Sequence, residues 1–303
     1  MNTSDSSATN SGATNSNATT ARVTSASAAN SGLTSDTSVG TTHIERETFA
    51  YGNDPFQVLD LYQPSTPNGA AIIDIHGGGW VQGSRLKEER MATRFAQAGY
   101  LVVAPDYRLA DGLDKATYPA QVDDMLSVYQ WLKALDRPGF NGQRIGAFGS
   151  SSGGNLSVEL AVRVGIPAAS WSGLLDLEGF MKSHLDTIPK RAIIDDNAPS
   201  ASIDQGGPND AYYKWLVINL LDGDLTLLHE ATVINRVDAQ TGPLFLANST
   251  DELVPIGELL SMAQAATAAR RPFWSTIIPG SAHAMGYYNQ TIEPTLDFFA
   301  VYL

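Results

Sequence analysis

Along this 303-residue chain, short apolar runs alternate with stretches whose apolar positions recur at helical spacing. Residues 70–75 and 100–104 are near-continuous apolar runs, the pattern of strands buried on both faces. Residues 144–148, 168–172, 243–248 and 273–278 read as further strands. The periodic stretches predict helices over 86–98, 118–135, 152–164, 255–269 and 290–302. In the first of these, Met91, Phe95 and Ala96 share one face, with Lys87, Glu88, Glu89 and Arg94 elsewhere. In the second, Val122, Met125, Val128, Tyr129 and Leu132 form the stripe, and Pro119 is tolerated in the first turn. Ahead of all these, 47–51 and 56–62 alternate apolar and polar positions around Gly52-Asn53-Asp54-Pro55, which predicts an antiparallel hairpin. Repeated strand–helix alternation implies the α/β class, with a mostly parallel central sheet flanked by helices. Right-handed crossovers then collect the strand C-terminal ends, and the loops that follow them, on one edge.

The rhythm lapses over 173–242. That stretch carries Pro189, Pro199, Pro208 and the pair Gly206-Gly207, with helices expected at 210–221 and 225–233. It reads as a cap inserted after the sixth strand. Residues 1–42 differ again. Ser, Thr, Asn and Ala dominate, and so little apolar surface cannot offset the entropy of ordering. The expected organisation is a disordered tail over 1–42 and one catalytic domain over 43–303.

Composition adds exclusions. A net charge of −13 argues against nucleic acid or anionic membranes as partners. No run of about 18 apolar residues suggests a membrane span. The tail has neither a basic start nor an apolar centre, so it is no standard signal peptide. The expected location is the cytoplasm, with secretion or surface exposure left open. There are no cysteines, which removes thiol nucleophiles, disulfides and thiolate metal sites.

The chemistry concentrates in the loops after strands. Residues 146–155, GAFGSSSGGN, hold Ser151 in a G-x-S-x-G pattern between an apolar strand and a helix. A serine hydroxyl is a weak nucleophile and needs a sharp turn that exposes it to a base. Gly149 and Gly153 flank it where a β-carbon would collide with neighbouring elements. The turn leaves the Ser152 N–H at a helix start, aimed at developing negative charge. After the strand 70–75 comes His76-Gly77-Gly78-Gly79-Trp80, three glycines whose unscreened N–H groups suit an anion. His76 reads as a brace for that loop, and Trp80 as packing or a wall of the site. Asp106 and Arg108, just past the next strand, read as structural braces.

A base is required. Of the five histidines, His43 lies beside the tail, and His184 and His229 lie in the cap. His283 follows the last strand within Pro279-Gly280-Ser281-Ala282-His283-Ala284, in position to reach Ser151. A carboxylate must then orient the histidine. Asp251 is the first candidate and adjacent Glu252 the second; a helix N-cap is the structural role open to Asp251. The order Ser, Asp, His is that of α/β-hydrolases.

Over residues 46–303 the chain resembles the α/β-hydrolase superfamily, specifically its hormone-sensitive-lipase-like and feruloyl-esterase-like (BD-FAE-like) carboxylesterases. His76-Gly77-Gly78-Gly79-Trp80 resembles their oxyanion motif, Asp106-Tyr107-Arg108-Leu109-Ala110 their brace, and Asp251-Glu252-Leu253-Val254-Pro255 their acid motif. The chain departs at Ser150, where lipase-like members usually carry an acid, at Ser152, where they carry Ala, and at Asp111-Gly112. The resemblance implies an α/β-hydrolase fold and a serine esterase acting on short-acyl or aryl esters. Its catalytic residues would be Ser151, Asp251 and His283, with an oxyanion hole from the N–H groups of Gly78, Gly79 and Ser152. No metal or organic cofactor is implied, and the expected partner is a small ester. Trp171, Phe180, Tyr212, Tyr213 and Trp215 are candidates for the apolar walls. An arylformamidase-type amide hydrolase and a non-catalytic ligand-binding homologue are the alternatives.

Overall fold

The computed structural model describes residues 42–111, 115–195 and 197–303. The tail expected over 1–42 lies outside them, Thr42 apart. The hairpin forms as β1 (Ile44–Ala50) and β2 (Val58–Pro64), antiparallel with Phe49 opposite Leu59. Next come β3 (Ala71–Ile75), α1 (Glu89–Gln97), β4 (Leu101–Pro105), α2 (Ala120–Lys133), β5 (Ile145–Ser150), α3 (Ser152–Val164) and β6 (Ala168–Trp171). The expected helix at 86–98 is split: Arg85–Glu88 is a 3-10 turn and α1 begins only at Glu89.

The eight strands form one sheet in the order β1-β2-β4-β3-β5-β6-β7-β8, where β7 is Leu244–Ser249 and β8 is Phe273–Ile278. From β4 to β8 every pairing is parallel. The chain steps from β3 outward to β4, then returns to pair β5 on the other side of β3. That reversal opens a crevice at the C-terminal ends of β3 and β5, where ligands bind in open α/β sheets.

The strand residues explain the layers. Ala71, Ile73 and Ile75 face one core with Val122, Met125, Leu156 and Leu160 from α2 and α3. Ile72 faces the other, with Met91 and Phe95 of α1 and Leu296 and Phe299 of α8 (Tyr288–Tyr302). Alternate side chains of one strand thus fill two cores, which is why its sequence is apolar throughout.

Between β6 and β7 the chain forms α4 (Leu177–Ser183), α5 (Asp210–Leu220) and the single turn α6 (Leu228–Ala231). The second helix expected there, 225–233, is broken into 3-10 turns on either side of α6. Helix α4 was not legible from pattern. It starts on Asp176, whose side chain accepts the Gly179 N–H at 2.9 Å. The last connection carries α7 (Ile256–Ala268).

Candidate active site

The turn after β5 is the anchor. Ser151 has φ 54° and ψ −123°, a backbone conformation that non-glycine residues rarely hold and that costs about 1–3 kcal/mol. The surroundings fix it. The Ser151 N–H donates to the Trp171 carbonyl at 2.8 Å, and the Asn155 N–H donates to the Ser151 carbonyl at 3.1 Å. Two glycines permit the close approach. A Cβ on Gly149 would lie 2.1 Å from the Gly153 carbonyl oxygen, and one on Gly153 would lie 2.1 Å from that of Ile75. Ser152 begins α3, so its N–H is among those with no acceptor inside the helix.

The glycine loop after β3 abuts this turn. A Cβ on Gly77 would fall 3.2 Å from the Ser151 Cβ. Gly78 has φ 122°, and its carbonyl accepts the Val81 N–H at 3.1 Å and the Gln82 N–H at 3.2 Å. The carbonyl is thereby consumed inside the loop. Gly78 and Gly79 both line the cavity that holds Ser151. His76 is buried and its ring stacks on Tyr107, with centroids 4.1 Å apart. The Tyr107 hydroxyl donates to the His76 carbonyl at 3.1 Å and lies 3.4 Å from Ser152 Oγ. It thus ties the base of the glycine loop to the serine turn. Asp106 accepts the Arg85 N–H at 2.6 Å and pairs with the Arg85 guanidinium, and Arg108 forks onto Asp124 at 2.7 Å. Trp80 is buried packing.

His283 sits in the loop after β8, 3% exposed, and lines the same cavity as Ser151. Its Nδ1 donates to Glu252 Oε2 in a very short contact. Here the structure corrects the sequence reading, which put Asp251 ahead of Glu252. Asp251 is exposed, and its backbone N–H donates to the Gly280 carbonyl at 3.0 Å. Glu252 is 1% exposed. Its longer side chain folds back under the turn, where Oε1 accepts the Ser249 N–H at 2.7 Å and the Ser172 hydroxyl at 2.9 Å. The direction of each side chain is set by the curl of the turn after β7, which no pattern of residue types reveals. Burial pulls the His283 pKa down, but the Glu252 carboxylate, with a smaller push from Asp204, outweighs it and leaves the value above an ordinary histidine.

Sequence reasoning also missed three supports. Ser172, in a left-handed backbone at φ 51°, donates to Glu252 and accepts the Ala284 N–H at 2.9 Å. Tyr287 shares a 2.7 Å hydrogen bond with that hydroxyl. Gln205 bonds the His283 backbone at both its N–H and its carbonyl. A polar residue at a strand end was the one available signal for Ser172; nothing in the local pattern marked Gln205. The remaining histidines turn elsewhere: His43 is exposed ahead of β1, His184 lies 3.5 Å from Asp210 and His229 lies 3.0 Å from Glu178.

The cavity has a volume of about 60 Å³. One wall is apolar, with Ile194, Ile203, Leu216, Leu253 and Met285. Of the five aromatic candidates, Tyr212 lines it. Trp171 is buried beside the sheet with its indole N–H donating to Thr295 at 3.1 Å, and Phe180 and Tyr213 pack on one another at 3.9 Å. Among the described residues, no cluster of three or more His, Cys, Asp or Glu is placed to hold a metal ion, and no helix is long and apolar enough to cross a membrane.

A mostly parallel eight-stranded sheet with a serine turn after β5 and a histidine loop after β8 is the α/β-hydrolase fold. The chain belongs to the BD-FAE family, whose model matches residues 59–265. Among solved structures, a truncated carbohydrate esterase from gut microbiota superposes with a TM-score of 0.66 at 20% identity, covering 86% of this chain and 97% of that one. Esterase B of Lactobacillus rhamnosis gives 0.62 at 20% identity, covering 87% and 85%. Among curated relatives, esterase LipC of Mycobacterium tuberculosis is 24% identical over 86% of this chain and 65% of its own length. Carboxylesterase NlhH of the same species is 30% identical over 61% and 57%. Ethyl acetate hydrolase of Pseudomonas putida is 36% identical over 33% of each. The chain therefore spans between a third and two thirds of the length of these relatives.

Proposed function

We propose that this protein is a serine carboxylesterase that hydrolyses short-acyl or aryl esters through an acyl-enzyme. Ser151 attacks the ester carbonyl while His283 takes its proton. The negative charge that builds on the carbonyl oxygen is received by the N–H groups of Gly78, Gly79 and Ser152. His283 then protonates the departing alcohol, and water, activated by the same histidine, hydrolyses the acyl-enzyme. Glu252, rather than Asp251, orients the imidazole and stabilises its cation. No metal or cofactor takes part in these steps.

The observation that carries this reading is the buried His283–Glu252 pair facing the cavity of a serine held at φ 54°. The names of esterase LipC, ethyl acetate hydrolase and carboxylesterase NlhH agree with it. Residues 173–242, which supply Ile194, Ile203, Tyr212 and Leu216 to the cavity wall, act as its cap.

The test is initial rates on p-nitrophenyl esters with acyl chains from two to about twelve carbons, with Ser151→Ala alongside. Fast turnover on the shortest chains that falls by several orders of magnitude in the variant is expected. Near-full activity in Ser151→Ala would sink the reading. Matched anilides in the same assay separate an esterase from an amidase.

A further inference from the structure

Two carboxylates that the proposed chemistry does not use line the cavity, Glu88 and Asp204, and Asp204 is the one beside His283. Within the segment between β6 and β7, Ser200–Ser202 forms a 3-10 turn, and Gln205 fastens the segment to the histidine loop. The His283 N–H donates to Gln205 Oε1 at 3.0 Å, and Gln205 Nε2 donates to the His283 carbonyl at 2.9 Å. Gly286 leaves room for this clamp, since a Cβ there would lie 2.0 Å from Gln205 Oε1. One residue earlier, Asp204 has φ 56°, a left-handed conformation that Asp tolerates better than most residues. That conformation places it on the cavity wall together with Tyr212. Asp204 also borders a second recess, formed with Gly206, Gly207, Asn209 and Leu253.

Among the described residues, no hydrogen bond or ion pair reaches the Asp204 carboxylate. Burial raises its pKa, and the neighbouring His283 imidazole opposes that rise. A half-buried carboxylate on the cavity wall with no protein donor is an acceptor that a ligand can reach in place of water. Its position also selects which part of the ligand. His283 delivers its proton to the departing alcohol, so the alcohol portion of an ester lies on the histidine side of the cavity.

We propose that Asp204, clamped beside His283 by Gln205, is a specificity-determining residue that binds a hydrogen-bond-donating group, hydroxyl or ammonium, on the alcohol portion of the ester. This rests on the esterase reading above. A ligand donor that takes the place of water on this carboxylate gains a charge-assisted hydrogen bond, and an analogue that lacks the donor forgoes it.

The experiment compares kcat/KM for three acetate esters: propyl acetate, 2-hydroxyethyl acetate and protonated 2-(dimethylamino)ethyl acetate. The wild-type chain, Asp204→Ala and Asp204→Asn are assayed. Ser151-dependent hydrolysis of p-nitrophenyl acetate by the wild type is established first, so that a failure of the esterase reading is seen separately. At least one donor-bearing ester is expected to exceed propyl acetate by roughly tenfold or more in the wild type. In Asp204→Ala that ratio should fall to about twofold or less. Asp204→Asn suits the left-handed backbone and keeps a neutral acceptor. It should retain part of a hydroxyl preference and lose an ammonium preference, which tells the two donors apart. Equal rates on all three esters in the wild type overturn the proposal even if neither variant folds. So does an unchanged ratio in a folded Asp204→Ala.

Discussion

Replacing Glu252 by Gln, beside Asp251 by Asn, separates two adjacent carboxylates by geometry alone. Glu252 uses both oxygens. Oε1 accepts from the Ser249 N–H and the Ser172 hydroxyl, and Oε2 accepts from His283 Nδ1. A glutamine keeps the volume and one acceptor, which the Ser249 and Ser172 donors hold in place. Its amide nitrogen then faces His283 Nδ1, and two N–H groups cannot bond to one another. The imidazole must therefore shift its proton to Nε2, the nitrogen that has to be free to receive the Ser151 proton. A wrong-tautomer histidine lowers kcat by roughly 10³- to 10⁴-fold in a serine triad. Loss of the charged acceptor should also cost about 1–3 kcal/mol of stability. Asp251 is exposed, so Asp251→Asn should stay within about twofold in kcat and about 0.5 kcal/mol in stability. The assay is p-nitrophenyl acetate turnover with thermal unfolding of each variant. Comparable losses in the two variants, or a folded Glu252→Gln within tenfold of wild type, would refute the reasoning.

Three more outcomes are expected. His283 must be neutral to act as a base and its pKa is raised, so the acid limb of kcat/KM should lie above the ordinary histidine value of 6.5; a limb below that value contradicts the Glu252 assignment. Burial pushes the Glu88 carboxyl up to about 7 from 4.5, and Asp74, buried with neither oxygen hydrogen-bonded, is raised well above its usual range as well. The folded chain then holds protons that the unfolded chain has released, so stability should fall as pH rises from about 4.5 through 7, by on the order of a few kcal/mol. Urea unfolding at pH 5 and pH 8 reads this fall, and Glu88→Gln should reduce it. Gly153→Ala drives a methyl to 2.1 Å from the Ile75 carbonyl oxygen, a backbone atom that cannot step aside. It should cost on the order of 3 kcal/mol and lower the melting temperature; a neutral substitution would show that the turn is looser than described.

The sequence by itself determined the α/β alternation, the two-faced strands and the loops that carry Ser151, His283 and the three glycines. Each is a local property. Periodicity reports burial on one or two faces, and a glycine reports a backbone that a side chain would obstruct. The break in rhythm after β6 was legible for the same reason. What lay beyond it was decided in three dimensions. Asp251 and Glu252 are one residue apart, and only the curl of the turn after β7 sends the second inward beneath Ser249 and Ser172. Gln205 and His283 are 78 residues apart and meet because the segment between β6 and β7 packs on the loop after β8. Tyr107 ties the His76 carbonyl, 31 residues before it, to Ser152, 45 residues after it. Residue types determine which groups are available for chemistry; the direction a side chain takes from a turn, and its neighbours from distant segments, are set by packing the whole chain around the sheet.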